Sequence, residues 1–359
     1  MTDLNDEHLS DLIDEDGDPT PTELYEHFGI TVDKGQQPIR IDKYLVDRMP
    51  NVSRNRVQQA ADAGVIFVNQ KPVKSNYKVK PLDVISLRLE RPPYEFEIIP
   101  EDIPLNIVYE DDFVMVINKQ AGLVVHPGHG NYTGTMLNAI AFHLKDTPEY
   151  DPSDPRLGLV HRIDKDTSGL LVIAKTPEVK THLSAQFFDK TTHRLYEAIV
   201  WGSVQEDEGT IRTNLARDPK DRMQMTTFPY EGEVGKTAVT HYRVLERLGY
   251  ISRIECRLET GRTHQIRAHM KSIGHTLFND ERYGGHEILR GNRFSKYTKF
   301  VENSFALCPR QALHAKTLGF YHPILKEEMT FEAPLPSDMV ALIEKWRTYV
   351  ASGNIEPEV

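Results

Sequence analysis

The residues best suited to chemistry lie in one short run, His161-Arg162-Ile163-Asp164-Lys165-Asp166-Thr167-Ser168-Gly169. Polar groups crowd a turn here, and the run Leu170-Leu171-Val172-Ile173-Ala174 that follows reads as a buried strand. A turn anchored by a core strand can hold a carboxylate rigidly at the edge of a cleft. Asp164 or Asp166 could equally cap backbone amides in an Asx-turn, Arg162 could be a surface cation, and His161 a satisfied core imidazole.

Two further stretches bear on that turn. In Glu259-Thr260-Gly261-Arg262-Thr263-His264-Gln265-Ile266-Arg267-Ala268-His269, Thr263 is a candidate N-cap. The helix it would open has an apolar side of Ile266, Met270 and Ile273, with His264, Arg267 and Lys271 on another face. That face is either solvated or aims a cation at a buried carboxylate or at phosphates. In Arg194-Leu195-Tyr196-Glu197-Ala198-Ile199-Val200, period-two alternation places Arg194 and Tyr196 on one side of a strand. Asp164-Lys165-Asp166 also invites comparison with the Asp-x-Asp of haloacid-dehalogenase-type phosphatases. There the apolar strand precedes the carboxylates and Gly usually follows them; here the strand comes after and Thr167 follows Asp166. Gly128-His129-Gly130 lacks the spacing of a nucleotide-binding loop, and His126 with His129 makes a poor metal site. No metal and no cofactor is therefore expected.

The elements that must position these groups follow from periodicity. Strands are expected over Phe113–Asn118, Gly169–Ala174, His193–Val200, Thr237–Glu246 and Tyr250–Leu258. Helices are expected over Thr135–Leu144, Glu178–Asp189, Thr263–Ile273 and Ser337–Val350. Strands and helices do not alternate, so the fold class is α+β, with a mixed, mainly antiparallel sheet.

Charge divides the chain. Of 359 residues with a formal net charge of −10, residues 1–36 carry eleven acids and one base, which predicts a disordered acidic tail. Residues 37–91 carry eleven bases and five acids on a small αα-β unit: a short helix ending before Pro50, a second over Asn55–Ala63 capped by Ser53 and closed by Gly64, then strands at Val65–Val68 and Val84–Leu89. Fixed cations on a rigid platform suit phosphate contacts, which makes Lys43, Arg54, Arg56 and Lys74 candidate phosphate-binding residues, with an ordinary solvated face as the alternative. Prolines 92, 93, 100 and 104 mark a linker over 92–104, followed by a large domain over 105–348 and a tail over 349–359. The two cysteines, Cys256 and Cys308, form no disulfide framework or zinc ribbon. No apolar run nears the roughly 20 residues a membrane span needs. A reduced, cytoplasmic monomer with no membrane partner is expected.

Taken together, these stretches resemble one family. His161–Gly169 resembles the nucleophile motif of the RluA/RluD-type pseudouridine synthases. Lys119–Gly128, Arg194-Leu195-Tyr196, Gly261–Arg267 and Leu313-His314-Ala315 are similar to the family's other blocks, in order. Arg40–Leu45 and Val65–Asn69 resemble an S-four-type RNA-binding module, placed as in the large-subunit ribosomal RNA enzymes of the family. The resemblance spans about residues 38–345 and departs at Ile163, where Leu is usual, and at Gln120, often Pro. It implies isomerisation of uridine in large-subunit (23S) ribosomal RNA without a cofactor. Asp164 would be the catalytic carboxylate, as nucleophile or base, and Arg267 its cationic partner. Tyr196 would stack on the flipped-out base, and Arg162 would fill the vacated stack or bind a flanking phosphate. The alternative is a catalytically silent RNA-binding or assembly factor of the same fold.

Overall fold

The computed structural model describes residues 25–49, 54–89, 98–128, 131–148, 150, 154, 156–221, 223–292 and 294–353, which divide into two compact units near residue 96.

In the N-terminal unit, β1 (Tyr25–Thr31) is followed by α1 (Ile41–Val46), α2 (Arg54–Asp62), β2 (Ile66–Val68), β3 (Lys71–Pro72) and β4 (Val84–Leu89). The strands form a sheet in the order β1-β4-β2-β3. Ile41, Leu45 and Val57, on the inner faces of the helices, meet Ile66, Val68 and Ile85 in one core. Over residues 25–36, strand β1 corrects the reading of residues 1–36 as a mostly disordered tail, while residues 1–24 leave that reading untested. Nine of the eleven acids precede Tyr25, and beyond them Phe28, Ile30 and Val32 pack on that core while β1 pairs antiparallel with β4. Burial of these side chains and a full set of strand hydrogen bonds offset the ordering cost that the acidic average implied. Residues 1–24, the Ser53 cap and linker residues 92–97 lie outside the described residues.

The C-terminal unit contains β5 (Ile107–Glu110), β6 (Val114–Lys119), α3 (Met136–Leu144), β7 (Ser168–Ala174), α4 (Pro177–Phe188), β8 (His193–Trp201), β9 (Glu208–Arg217) and β10 (Met225–Phe228). It continues with β11 (Lys236–Arg247), β12 (Ile251–Leu258), α5 (Gln265–Ser272), α6 (Ser295–Leu307), β13 (Leu313–His322), β14 (Glu327–Glu332) and α7 (Ser337–Ala351). One mixed sheet runs β10-β9-β11-β12-β8-β13-β7-β6-β5, with β14 also on β13. Its pairs are antiparallel except β13 with β7. Helix α7 continues through residues 349–351, expected to be tail; residues 354–359 lie outside the described residues.

Alternation sorts the core onto the two faces of the sheet. Met115, Ile117, Leu171, Ile173, Tyr196 and Ala198 point to the side covered by α3 and α5. Val114, Val116, Leu170 and Val172 point to the side covered by α4. Strands buried on both faces read as unbroken apolar runs, which is why Leu170–Ala174 is legible at once. Tyr196 thereby shares a face with α5.

The parallel contact of β7 with β13 sits directly behind the Asp164 turn. At Gly169 (φ 116°) a Cβ would lie 2.2 Å from the Ala315 carbonyl oxygen, so glycine alone permits this approach. Gly169→Ala is expected to lower the unfolding free energy by about 1–3 kcal/mol from backbone strain alone, with more from the clash. Denaturant titration of the purified variant checks this; an unchanged midpoint would contradict it.

Candidate active site

Asp164 opens the turn that leads into β7, its side chain 17% exposed. Arg267, in the first turn of α5, donates from Nη1 to Asp164 Oδ2 at 2.9 Å. The same guanidinium grips a second carboxylate: Nε donates to Asp280 Oδ2 at 2.7 Å and Nη2 to Asp280 Oδ1 at 3.0 Å. Asp280 is fully buried and also accepts the Tyr283 N–H at 3.1 Å. Burial by itself would push the Arg267 pKa down, but the Asp280 hydrogen bonds and the charges of Asp164 and Asp280 drive it above its ordinary value. Two of the guanidinium's edges are thus occupied by carboxylates, which fixes its plane and with it the position of Asp164.

The segment before α5 departs from the expected cap. Gln265 is the first helical residue, preceded by His264 in the left-handed region (φ 52°), and Thr263 does not cap. Gln265 explains the geometry: its Oε1 accepts from Thr260 Oγ1 at 2.7 Å and from the Arg262 N–H at 3.0 Å, and its Nε2 donates to Val239 O at 3.0 Å. The turn so held brings His264 inward, 3.0 Å from the Tyr283 hydroxyl through Nδ1 and 3.9 Å from Asp164 Oδ2 through Nε2. His264 and Arg267 are therefore buried, and only Lys271 of the anticipated basic face is exposed. Ile273, anticipated on the apolar side, is 38% exposed.

These groups open onto a cleft of about 450 Å³, within the usual size of ligand sites. Asp164, Arg162, Tyr196, Arg194, Phe187, Gly261 and Arg267 all line it. The fold thus gathers the four expected catalytic-domain residues, Arg162, Asp164, Tyr196 and Arg267, at one place. The Tyr196 hydroxyl is kept protonated, burial raising its pKa against the opposing charge of Arg194. The backbone carbonyl of Asp166 accepts from Arg310 Nη1 at 3.0 Å.

In the N-terminal unit, Lys43 and Lys74 are exposed. Arg54 is half-exposed and donates through Nε to buried Asp42 at 3.1 Å, so it also ties α2 to α1. The side chain of Arg56 lies outside the described residues.

The family model for RNA pseudouridylate synthase matches residues 113–272, and that for the S4 domain matches residues 39–85. An uncharacterized RNA pseudouridine synthase of Chlorobaculum parvum is 51% identical over 326 residues, covering 90% of this chain and 99% of its own. The chain belongs to the RNA pseudouridylate synthase family. Ribosomal large subunit pseudouridine synthase D of Neisseria meningitidis serogroup B is 40% identical over 94% of this chain and 87% of its own. Among solved structures, human RNA pseudouridylate synthase domain containing 4 shares the fold at a TM-score of 0.52 and 24% identity, covering 67% of this chain and 93% of that one.

Other residues that hold the cleft of this pseudouridine synthase in place carry no periodic signal. Asp280 and Tyr283 sit in a turn before Gly284-Gly285, and nothing in their spacing links them to Arg267. Lys119, quoted only as part of a motif, is 1% exposed at the end of β6, and its Nζ donates to the carbonyls of Lys165, Leu123 and Gln120 at 2.7, 2.8 and 3.0 Å. It clasps the Asp164 turn from one side while Arg310 holds it from the other. Burial lowers the Lys119 pKa to about 7, against the raising charges of Asp166 and Asp164. Between pH 7 and the ordinary lysine value the unfolded chain then binds a proton that the folded chain lacks, so stability from this group rises with pH across that window. Chemical denaturation at pH 6, 8 and 9 is expected to show this rise in the wild type and to lose it in Lys119→Met.

Proposed function

We propose that this synthase isomerises uridine in large-subunit ribosomal RNA, with Asp164 starting the reaction on a base extruded into the cleft. The observation that carries this reading is the Arg267–Asp164 ion pair in a cleft also lined by Tyr196. The reaction breaks the N1–C1′ bond, forms a C5–C1′ bond, releases the C5 proton and protonates N1. No electrons are exchanged, so a carboxylate, a stacking ring and a route for protons suffice. Arg267 keeps the carboxylate oriented at the sugar or base. Tyr196 stacks on the uracil, a contact worth about 1–3 kcal/mol. Arg162 occupies the gap left by the extruded base or holds a flanking phosphate.

The relatives at about 40% identity named for the ribosomal large subunit favour that RNA, and the S4 domain supplies Lys43, Arg54, Arg56 and Lys74 for its phosphates. The enzyme would act in the cytoplasm as a monomer. Release of tritium from unmodified large-subunit RNA labelled at uridine C5 tests the reading: the wild type is expected to release it, and binding without release would favour the silent RNA-binding factor.

A further inference from the structure

Arg194 stands out among the charged side chains of the catalytic unit. It is 7% exposed, projects from β8 on the same face as Tyr196, and lines the cleft. Its Nε has no hydrogen-bond partner, and no carboxylate pairs with the guanidinium, among the described residues. Its nearest stabilising neighbour is the Phe187 ring, whose centroid lies 5.4 Å from the guanidinium carbon. His161, stacked on the same ring at 4.2 Å, supplies no counter-charge. Its Nε2 accepts the Val172 N–H at 3.0 Å, and burial with the Arg194 charge pushes its pKa down to about 3, so the imidazole is neutral. A buried arginine without an anion is costly, because the guanidinium gives up water and gains no pair.

The surroundings keep a place for this side chain. A Cβ on Gly261 would lie 2.7 Å from Arg194 Nη1, and no positive φ constrains that glycine. The absence of a side chain at 261 therefore leaves room for the guanidinium. Residues two apart on one strand face are spaced about 7 Å. A base stacked on Tyr196 thus leaves the phosphate of its own nucleotide within reach of Arg194.

We propose that Arg194, flanked by Phe187 and Gly261, forms a phosphate-binding subsite of the cleft that pairs with a backbone phosphodiester of the bound RNA at the extruded nucleotide. The inference rests on the RNA-modifying reading above and adds the group that fixes the strand beside the reacting base. A planar fork of N–H donors suits a phosphate through two parallel hydrogen bonds, which lysine cannot reproduce.

The test measures binding of a large-subunit RNA transcript against KCl concentration, with single-turnover tritium release, for the wild type, Arg194→Met, Arg194→Lys and Gly261→Ala. Arg194→Met is expected to weaken binding about 10- to 100-fold and to reduce the salt slope by about 0.7–0.9, the loss of one phosphate contact. Its rate at saturating RNA should fall by less than its affinity. Arg194→Lys should keep the slope and bind with intermediate affinity, and Gly261→Ala should weaken binding by displacing the guanidinium from an exposed position. Melting curves establish that each variant is folded, and the lysine and alanine variants carry the test if Arg194→Met is not. Unchanged affinity and slope in folded variants overturns the subsite, as does a loss confined to the saturating rate, which assigns Arg194 to the base. A wild type that binds but releases no tritium defeats the synthase reading on this RNA, while the slope still decides the subsite.

Discussion

Asp164→Asn is expected to cut tritium release by about 10⁴-fold or more while leaving folding and RNA binding close to wild type. The carboxamide has the shape of the carboxylate, and its oxygen can still accept from Arg267 Nη1, now 2.9 Å from Asp164 Oδ2. Arg267 also retains its two hydrogen bonds to Asp280, so its charge stays compensated in the variant. What disappears is the negative charge, and with it the capacity to attack carbon or to take a proton. Single-turnover release and RNA binding on the same preparations separate the two effects. Equal release by both proteins would remove Asp164 from the chemistry.

Arg267→Met should be damaging in a different way. It leaves Asp280, fully buried, without its cationic partner, and breaking a buried pair from one side costs about 3–5 kcal/mol. In a unit of this size that lowers the melting temperature by on the order of 10 °C. Activity falls as well, since Asp164 loses the donor that orients it. The double variant Arg267→Met with Asp280→Asn distinguishes the two losses. It is expected to regain much of the stability, because the stranded charge is gone, yet to remain inactive. Recovery of activity in the double variant would show that Arg267 serves only the fold.

The contrast between these variants reflects how the site is built. Asp164 is at the end of a chain of buried supports: Arg267 holds it, Asp280 and the Tyr283 N–H hold the guanidinium's plane, and Lys119 and Arg310 hold the turn's backbone. Arg267, Asp280, Lys119 and Arg310 are all buried ionisable groups, so each depends on the partners that the others supply. Asp164 can be changed at small structural cost because it is the partly exposed terminus of that network.

Much of this was legible in the residues themselves. Unbroken apolar runs such as Leu170–Ala174 and the alternation of Arg194 with Tyr196 declare strands, because side-chain period follows directly from backbone geometry. The ordered motif blocks point to Asp164, Tyr196 and Arg267. Strand β14 (Glu-Glu-Met-Thr-Phe-Glu) and helix α6 were not legible: half-exposed and mixed in polarity, they are stabilised by β13 and α7 respectively rather than by a pattern of their own. The acidic N-terminal average likewise concealed β1, whose order depends on the edge of β4.

From the sequence alone came the α+β class and the basic N-terminal unit, both properties of local composition and period, while the residues of the cleft were marked by the resemblance of ordered motif blocks to one family. Only the tertiary structure decided which groups meet. It seats Asp280 on Arg267 across thirteen residues, brings Lys119 to Lys165, turns His264 inward and leaves Arg194 buried with no anion beside it among the described residues. Such pairings depend on the three-dimensional closure of strands and turns and on how burial strengthens a charge's demand for a partner, and neither has a period along the chain.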